Sequence, residues 1–97
     1  MIARDEEEKI GEALESVRFA DEVIVADCGS LDDTALAARA FHARVFTRPH
    51  LPNLNVNKNF TFDQATGDWI LCLDADEIVP PESAEEIREL LRHPPLE

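Results

Sequence analysis

The chain has 97 residues, of which 44% are apolar, with 21 acidic and 9 basic side chains and a formal net charge of −12. That length allows one domain at most, with one modest core. The charge argues against non-specific nucleic-acid binding, which needs basic surface. No apolar run approaches the length of a membrane span, and Met1-Ile2-Ala3-Arg4 is no signal peptide, so a cytoplasmic protein is expected.

Ile2-Ala3 reads as the last part of a short first strand. Asp5 to Glu8 follows, with Asp5 as a plausible N-cap, and Ile10, Leu14 and Val17 mark one helix face. Glu22 to Asp27 is the clearest strand, β-branched and ending on an acid. Cys28 to Thr34 is a loop into a helix, with Gly29 for a tight turn and Ser30 or Asp32 as caps. Leu36, Ala37, Ala40 and Phe41 are expected on the buried face of that helix. Ala43 to Thr47 is a short strand, and a loop broken by Pro49 and Pro52 follows.

Asn55 to Ala65 reads as a helix with Val56, Phe60 and Phe62 inward. Thr66-Gly67-Asp68 stops it. Trp69 to Leu73 is an apolar run read as a buried strand. The last helix starts at Pro80-Pro81, carries Ala84, Ile87, Leu90 and Leu91 as an apolar stripe, and stops at Pro94-Pro95. The order (β)-α-β-α-β-α-β-α implies an α/β fold, three-layer α/β/α, with a mostly parallel sheet and a truncated first strand. Residues 1–93 form the expected domain and 94–97 a tail outside it, in which Leu96-Glu97 resembles a cloning remnant.

Chemistry gathers at the strand ends, where ligands bind in open α/β sheets. Asp74-Ala75-Asp76-Glu77 leaves the Trp69 to Leu73 run. Carboxylates converging there repel each other unless a cation joins them, and Mg²⁺ or Mn²⁺ suits oxygen ligands. Asp74 and Asp76 lie on opposite sides of an extended backbone unless the chain turns. The two acids then contact different parts of one ligand, one accepting from a sugar hydroxyl while the other binds the metal. Asp27 reads either as a cap for the next helix or as an acceptor for a nucleobase N–H. Arg4 leaves the first strand at the same edge, to meet a nucleotide or to pair with Asp27. Lys58 near a helix start is unfavourable for the helix dipole, which points to an anionic partner. Cys28 and Cys72 fit no zinc spacing, and His42, His50 and His93 show no ligand spacing.

Five segments in register resemble one family. They are Ile2 to Glu7, Val25 to Thr34, Asn57-Lys58-Asn59-Phe60, Ala65 to Trp69, and Leu73 to Glu77. Together they look like the N-terminal, nucleotide-sugar-binding part of a family 2 glycosyltransferase with the GT-A fold. The closest branch is that of the lipopolysaccharide-core glucosyltransferases. The resemblance implies a nucleotide-diphospho-sugar donor, UDP-linked, and a divalent cation, Mn²⁺ or Mg²⁺. It implies an inverting transfer to a glycan or lipid-linked acceptor, and a whole protein at the inner face of a membrane. It places Arg4 by the base and ribose, Asp27 at the base and Lys58 by the nucleotide. Asp74 faces the ribose or donor sugar, and Asp76 binds the metal. The general base of such enzymes falls on a later carboxylate, for which residues 78–97 supply no candidate.

Two other readings remain. A haloacid-dehalogenase-type phosphatase also ends a strand on D-x-D, but Glu77 and the position of the motif late in the chain speak against it. A self-associating fold fragment would use exposed sheet edges to dimerise.

Overall fold

The structure is a computed structural model, and it describes residues 1–92. The elements are β1 (Ile2–Ala3), α1 (Ile10–Ser16), β2 (Ile24–Cys28), α2 (Thr34–Ala40), β3 (Arg44–Arg48), α3 (Leu54–Gln64) and α4 (Pro81–Arg92). The three strands form one parallel sheet in the order β1-β2-β3. Ala3 stands beside Asp27, Asp27 beside Thr47, and Cys28 beside Arg48. The α/β class and the parallel sheet are as the alternating pattern requires. The expected end of the ordered part at Pro94-Pro95, and the 94–97 tail, lie outside the described residues.

Side-chain alternation along β2 and β3 divides the sheet into two faces. Val25 packs with Ala3, Ile10, Leu14, Ala38 and Ala75 in the core, joined by Val23 and Val45. Cys28, Phe46 and Arg48 meet α3 instead. Helices therefore cover both faces, which is the three-layer arrangement.

Helix α1 buries Ile10, Ala13 and Leu14, with Val17 just beyond its end, as its spacing predicts. Its N-cap is Lys9, which makes no side-chain capping bond. Asp5 is not the cap. It adopts a left-handed backbone (φ 53°), and its carboxylate accepts the Leu31 N–H at 2.7 Å. That bond belongs to a lacing between the loops after β1 and β2. The Asp5 N–H donates to Ser30 Oγ at 2.9 Å, and the Glu6 N–H to Thr34 Oγ1 at 2.9 Å.

Three helical faces differ from expectation. In α2 the buried residues are Thr34 and Ala38, while Leu36 is 65% exposed and Ala40 and Phe41 are also exposed. Small Ala38 allows close approach to the sheet, and the Thr34 hydroxyl has polar partners in Glu6 and Asp32. The Phe41 ring covers Gly11 of α1, where an added Cβ would stand 3.5 Å from it. In α3 the inward residues are Asn57 and Thr61, with Phe60 half-buried, whereas Val56 and Phe62 are exposed. In α4 no residue is buried, and the expected stripe leaves Leu90 and Leu91 uncovered.

The fourth strand is absent among the described residues. Trp69 to Leu73 forms no ladder, and Trp69, Ile70 and Leu71 are 59%, 53% and 48% exposed. Strand β1 has two residues and offers too few backbone groups on its outer edge to fix a neighbour. Strand β1 accordingly lies at the edge of this sheet.

Candidate nucleotide-sugar site

The C-terminal ends of β1 and β2 set the floor of the site. Asp27 is 8% exposed there, and its carboxylate accepts the Ser30 N–H at 3.4 Å. That bond stabilises the loop into α2, so the capping-type reading of Asp27 has a physical basis. Gly29 follows with φ 74°, and a Cβ on it would lie 3.6 Å from His50 Cβ. Asp32 is the polar anchor of the same loop. It accepts the Thr34 N–H at 3.0 Å, the Thr34 hydroxyl, and the Glu7 N–H at 3.3 Å. These bonds, the Thr34 hydroxyl first, hold its carboxyl below the usual range.

Arg4 extends this edge directly after Ala3 and is exposed. Among the described residues it forms no ion pair with Asp27 or with any other acid. Of the two sequence readings of Arg4, the pairing with Asp27 is therefore corrected. An arginine in an acidic protein that leaves the adjacent carboxylate unpaired remains available to a ligand.

The D-x-D segment turns where the alternative required a turn. The Glu77 N–H donates to the Asp74 carbonyl at 3.0 Å, and the Asp74 N–H donates to Glu77 Oε1 at 2.8 Å. The middle residue is the anchor. Ala75 is 2% exposed and packs in the core with Ala3 and Ile10, while Asp74 and Asp76 on either side are exposed. Val79 is also buried, and its N–H donates to Ser16 Oγ at 3.0 Å. The carboxylate turn is thus moored to α1 and β1 without being part of the sheet. The N-terminal amino group lies close enough to Cys72 and Asp74 to feel both, although burial dominates and lowers its pKa.

Lys58 stands on α3, the helix that packs on the Cys28 face of the sheet. It follows Asn57, whose amide donates to Cys28 Sγ at 3.4 Å, next to Asp27 in the chain. Lys58 makes no ion pair among the described residues. It sits in the second turn of α3 rather than the first.

The fold therefore sets Arg4 and Asp27 at the ends of paired strands, with Asp74 and Asp76 on a separate turn anchored through Ala75 in the core and Lys58 on α3. It does not make the acids converge. Among the described residues, no three His, Cys, Asp or Glu side chains stand together as a cation cage. The expectation of three carboxylates around one ion is corrected for the described residues: Glu77 is committed to the Asp74 backbone. What remains are the exposed carboxylates of Asp74 and Asp76, neither bonded to another protein group among the described residues. Such a donor set suits an ion that keeps its other positions for water and phosphate oxygens.

Sequence reading passed over a second group at this end. Arg48 Nε donates to Asn57 Oδ1 at 3.2 Å, and the Asn57 amide also donates to the Pro49 carbonyl at 2.9 Å. Apolar spacing on α3 draws attention to Val56 and Phe62 instead. The available signal was an arginine closing a strand in an acidic chain. Burial raises the Cys28 thiol pKa, Asp27 adds to that, and Arg48 opposes it.

A hollow of about 490 Å³ lies at the opposite, N-terminal ends of the strands, lined in part by Arg18, Glu22, Phe41 and Arg44. Its arginines are already paired, Arg44 with Glu22 and Arg18 with Glu15. It has no carboxylate turn and no strand-end aspartate.

Comparison with known proteins identifies the family. The family model described as glycosyl transferase family 2 matches residues 1–97. An uncharacterized glycosyltransferase of Rickettsia typhi is 39% identical over 88 residues, covering 90% of this chain and 30% of the relative. A TPR repeat-containing protein of Synechococcus elongatus is 40% identical over 95 residues, 97% of this chain and 24% of its own length. The crystal structure of glucosyl-3-phosphoglycerate synthase from Mycobacterium tuberculosis in complex with UDP superposes with a TM-score of 0.69 at 31% identity. That match covers 81% of this chain and 33% of the synthase. The chain thus spans a third or less of these proteins.

Proposed function

The chain belongs to glycosyl transferase family 2, and from that premise we propose that it is the donor-binding part of an inverting glycosyltransferase. The donor is a nucleotide-diphospho-sugar, UDP-linked, and the acceptor a glycan or lipopolysaccharide-type molecule. The observation that carries this reading is the moored turn: Ala75 is buried in the core with Ala3 and Val25, while Asp74 and Asp76 on either side of it are exposed. The UDP complex of the mycobacterial synthase supports a uridine nucleotide. The motif pattern supports the acceptor class.

In this reading Asp27 accepts the imide N–H of uracil and Arg4 borders the base and ribose. The Asp27 carboxylate already accepts from Ser30, and a carboxylate has lone pairs left for a second donor. Lys58 neutralises charge on the nucleotide. Asp74 accepts from a ribose or sugar hydroxyl. Asp76 holds a divalent cation, Mn²⁺ or Mg²⁺, that arrives with the diphosphate. Once bound, that ion takes up charge developing on the leaving diphosphate. Residues 1–93 form the donor-binding unit, and no residue of the chain is assigned to activate the acceptor. No helix of the described residues is long and apolar enough to cross a membrane.

The test is calorimetry with UDP on the folded chain, with and without Mn²⁺, for the natural sequence and Asp76→Ala. The expected result is Mn²⁺-dependent binding that Asp76→Ala removes. Absence of UDP binding under both conditions overturns the reading.

A further inference from the structure

Arg48 is held by two groups that are themselves held, Phe60 and Asn57. Its guanidinium carbon lies 4.1 Å from the centre of the Phe60 ring, in cation–π range. Phe60 in turn meets Phe46 edge-on, with centroids 5.4 Å apart. The Nε–H is taken by Asn57, which is 3% exposed and tied to both Pro49 and Cys28. Few side chains lose more rotamer freedom on ordering than arginine, and here that ordering is already complete.

The outer face of this guanidinium is unused. Among the described residues no carboxylate lies within 4 Å of it, and its Nη groups donate to no protein atom. Arg18, Arg44 and Arg92 each pair with a glutamate, in a chain with 21 acids to choose from. No buried side-chain nitrogen among the described residues lacks a partner, so the Nη donors open onto solvent. A fixed guanidinium with a free N–H fork matches the two oxygens of a phosphate.

We propose that Arg48 is an anion-binding residue that takes a phosphate group in bidentate fashion at the C-terminal end of β3. Alternation places it on the α3 face of the sheet, whereas Asp27 lies on the face toward α1 and α2. It is thus a contact additional to the strand-end acids. Asn57 and Phe60 are its positioning residues.

The probe is inorganic pyrophosphate, titrated into the 97-residue chain without nucleotide or divalent cation, and followed by calorimetry and by the arginine Nε–H resonances. The natural sequence should bind, and the Arg48 resonance should move more than those of Arg18, Arg44 and Arg92. Arg48→Gln should weaken binding about ten-fold or more, as expected for loss of charge-assisted hydrogen bonds. Phe60→Leu, which keeps the charge and loses the stacking face, should weaken it by less. The inference is overturned if the natural sequence does not bind, if Arg48→Gln binds equally well, or if the Arg48 resonance stays still. The resonance measurement needs no variant to fold. Loss of UDP–Mn²⁺ binding with pyrophosphate binding retained would overturn the donor reading alone, and the converse would overturn this one alone.

Discussion

Glu77 folds back on Asp74: its carboxylate accepts the Asp74 N–H at 2.8 Å, and its own N–H returns to the Asp74 carbonyl at 3.0 Å. The third acid after the apolar run is therefore a brace for the turn that presents the other two. Glu77→Ala should weaken UDP–Mn²⁺ binding by a few-fold, in line with about 1 kcal/mol for one hydrogen bond. Asp76→Ala should remove the metal dependence entirely. Calorimetry on both variants checks the ranking, and equal losses would make Glu77 a direct ligand.

Gly29 should not tolerate a side chain well. Its φ of 74° is left-handed, where a Cβ costs roughly 1–2 kcal/mol. Space is not the obstacle, since the nearest atom to an added Cβ is at ordinary contact distance, 3.6 Å. Gly29→Ala should lower the urea midpoint, and Gly29→Asn should lower it less, because Asn tolerates this conformation better. Equal effects would mean that packing against His50 sets the cost.

Acid should loosen two lacings at once. Glu22 accepts from the Thr66 N–H and hydroxyl and pairs with Arg44, and these partners, the Thr66 backbone bond first, lower its pKa. Asp32 is lowered in the same direction by Thr34. A lowered carboxylate contributes stability above its unfolded value, and that stability is lost as pH falls through the lowered folded value. Thermal midpoints taken from pH 7 downward should therefore fall below the ordinary carboxylate range. Glu22→Gln should be less stable at pH 7 and show a shallower acid limb. An unchanged limb would contradict the assignment.

The core is small, so single truncations should be severe. Ile10 is fully buried against the sheet. Ile10→Ala should cost roughly 2–5 kcal/mol, a large share of the ~5–15 kcal/mol available to a domain. Urea unfolding followed by far-UV circular dichroism measures it. A loss under 1 kcal/mol would mean that the core relaxes into the gap.

Much of the fold was legible because burial and period coincide. Val23 and Val25 alternate toward the core, and Ile10, Leu14 and Val17 repeat at helical spacing, so β2 and α1 announce themselves. The Trp69 to Leu73 run did not behave as read, because an apolar pattern shows what a strand could bury and not whether a partner edge exists. Asp5 was misread for a related reason: an acid before a helix suits a cap, but its bond to Leu31 crosses 26 positions and leaves no local trace. On α3, Asn57 and Thr61 hold the inward positions through hydrogen bonds, where apolar spacing points to Val56 and Phe62. The strand-end acids were visible as a pattern. The Arg48–Asn57–Cys28 connection was not, since each member looks ordinary alone.

The single measurement that bears most directly on the account is UDP titration of the folded chain in the presence and absence of Mn²⁺, beside Asp76→Ala. The account predicts binding that requires the ion and disappears in the variant. UDP binding that is absent under both conditions, or unchanged in Asp76→Ala, would contradict it.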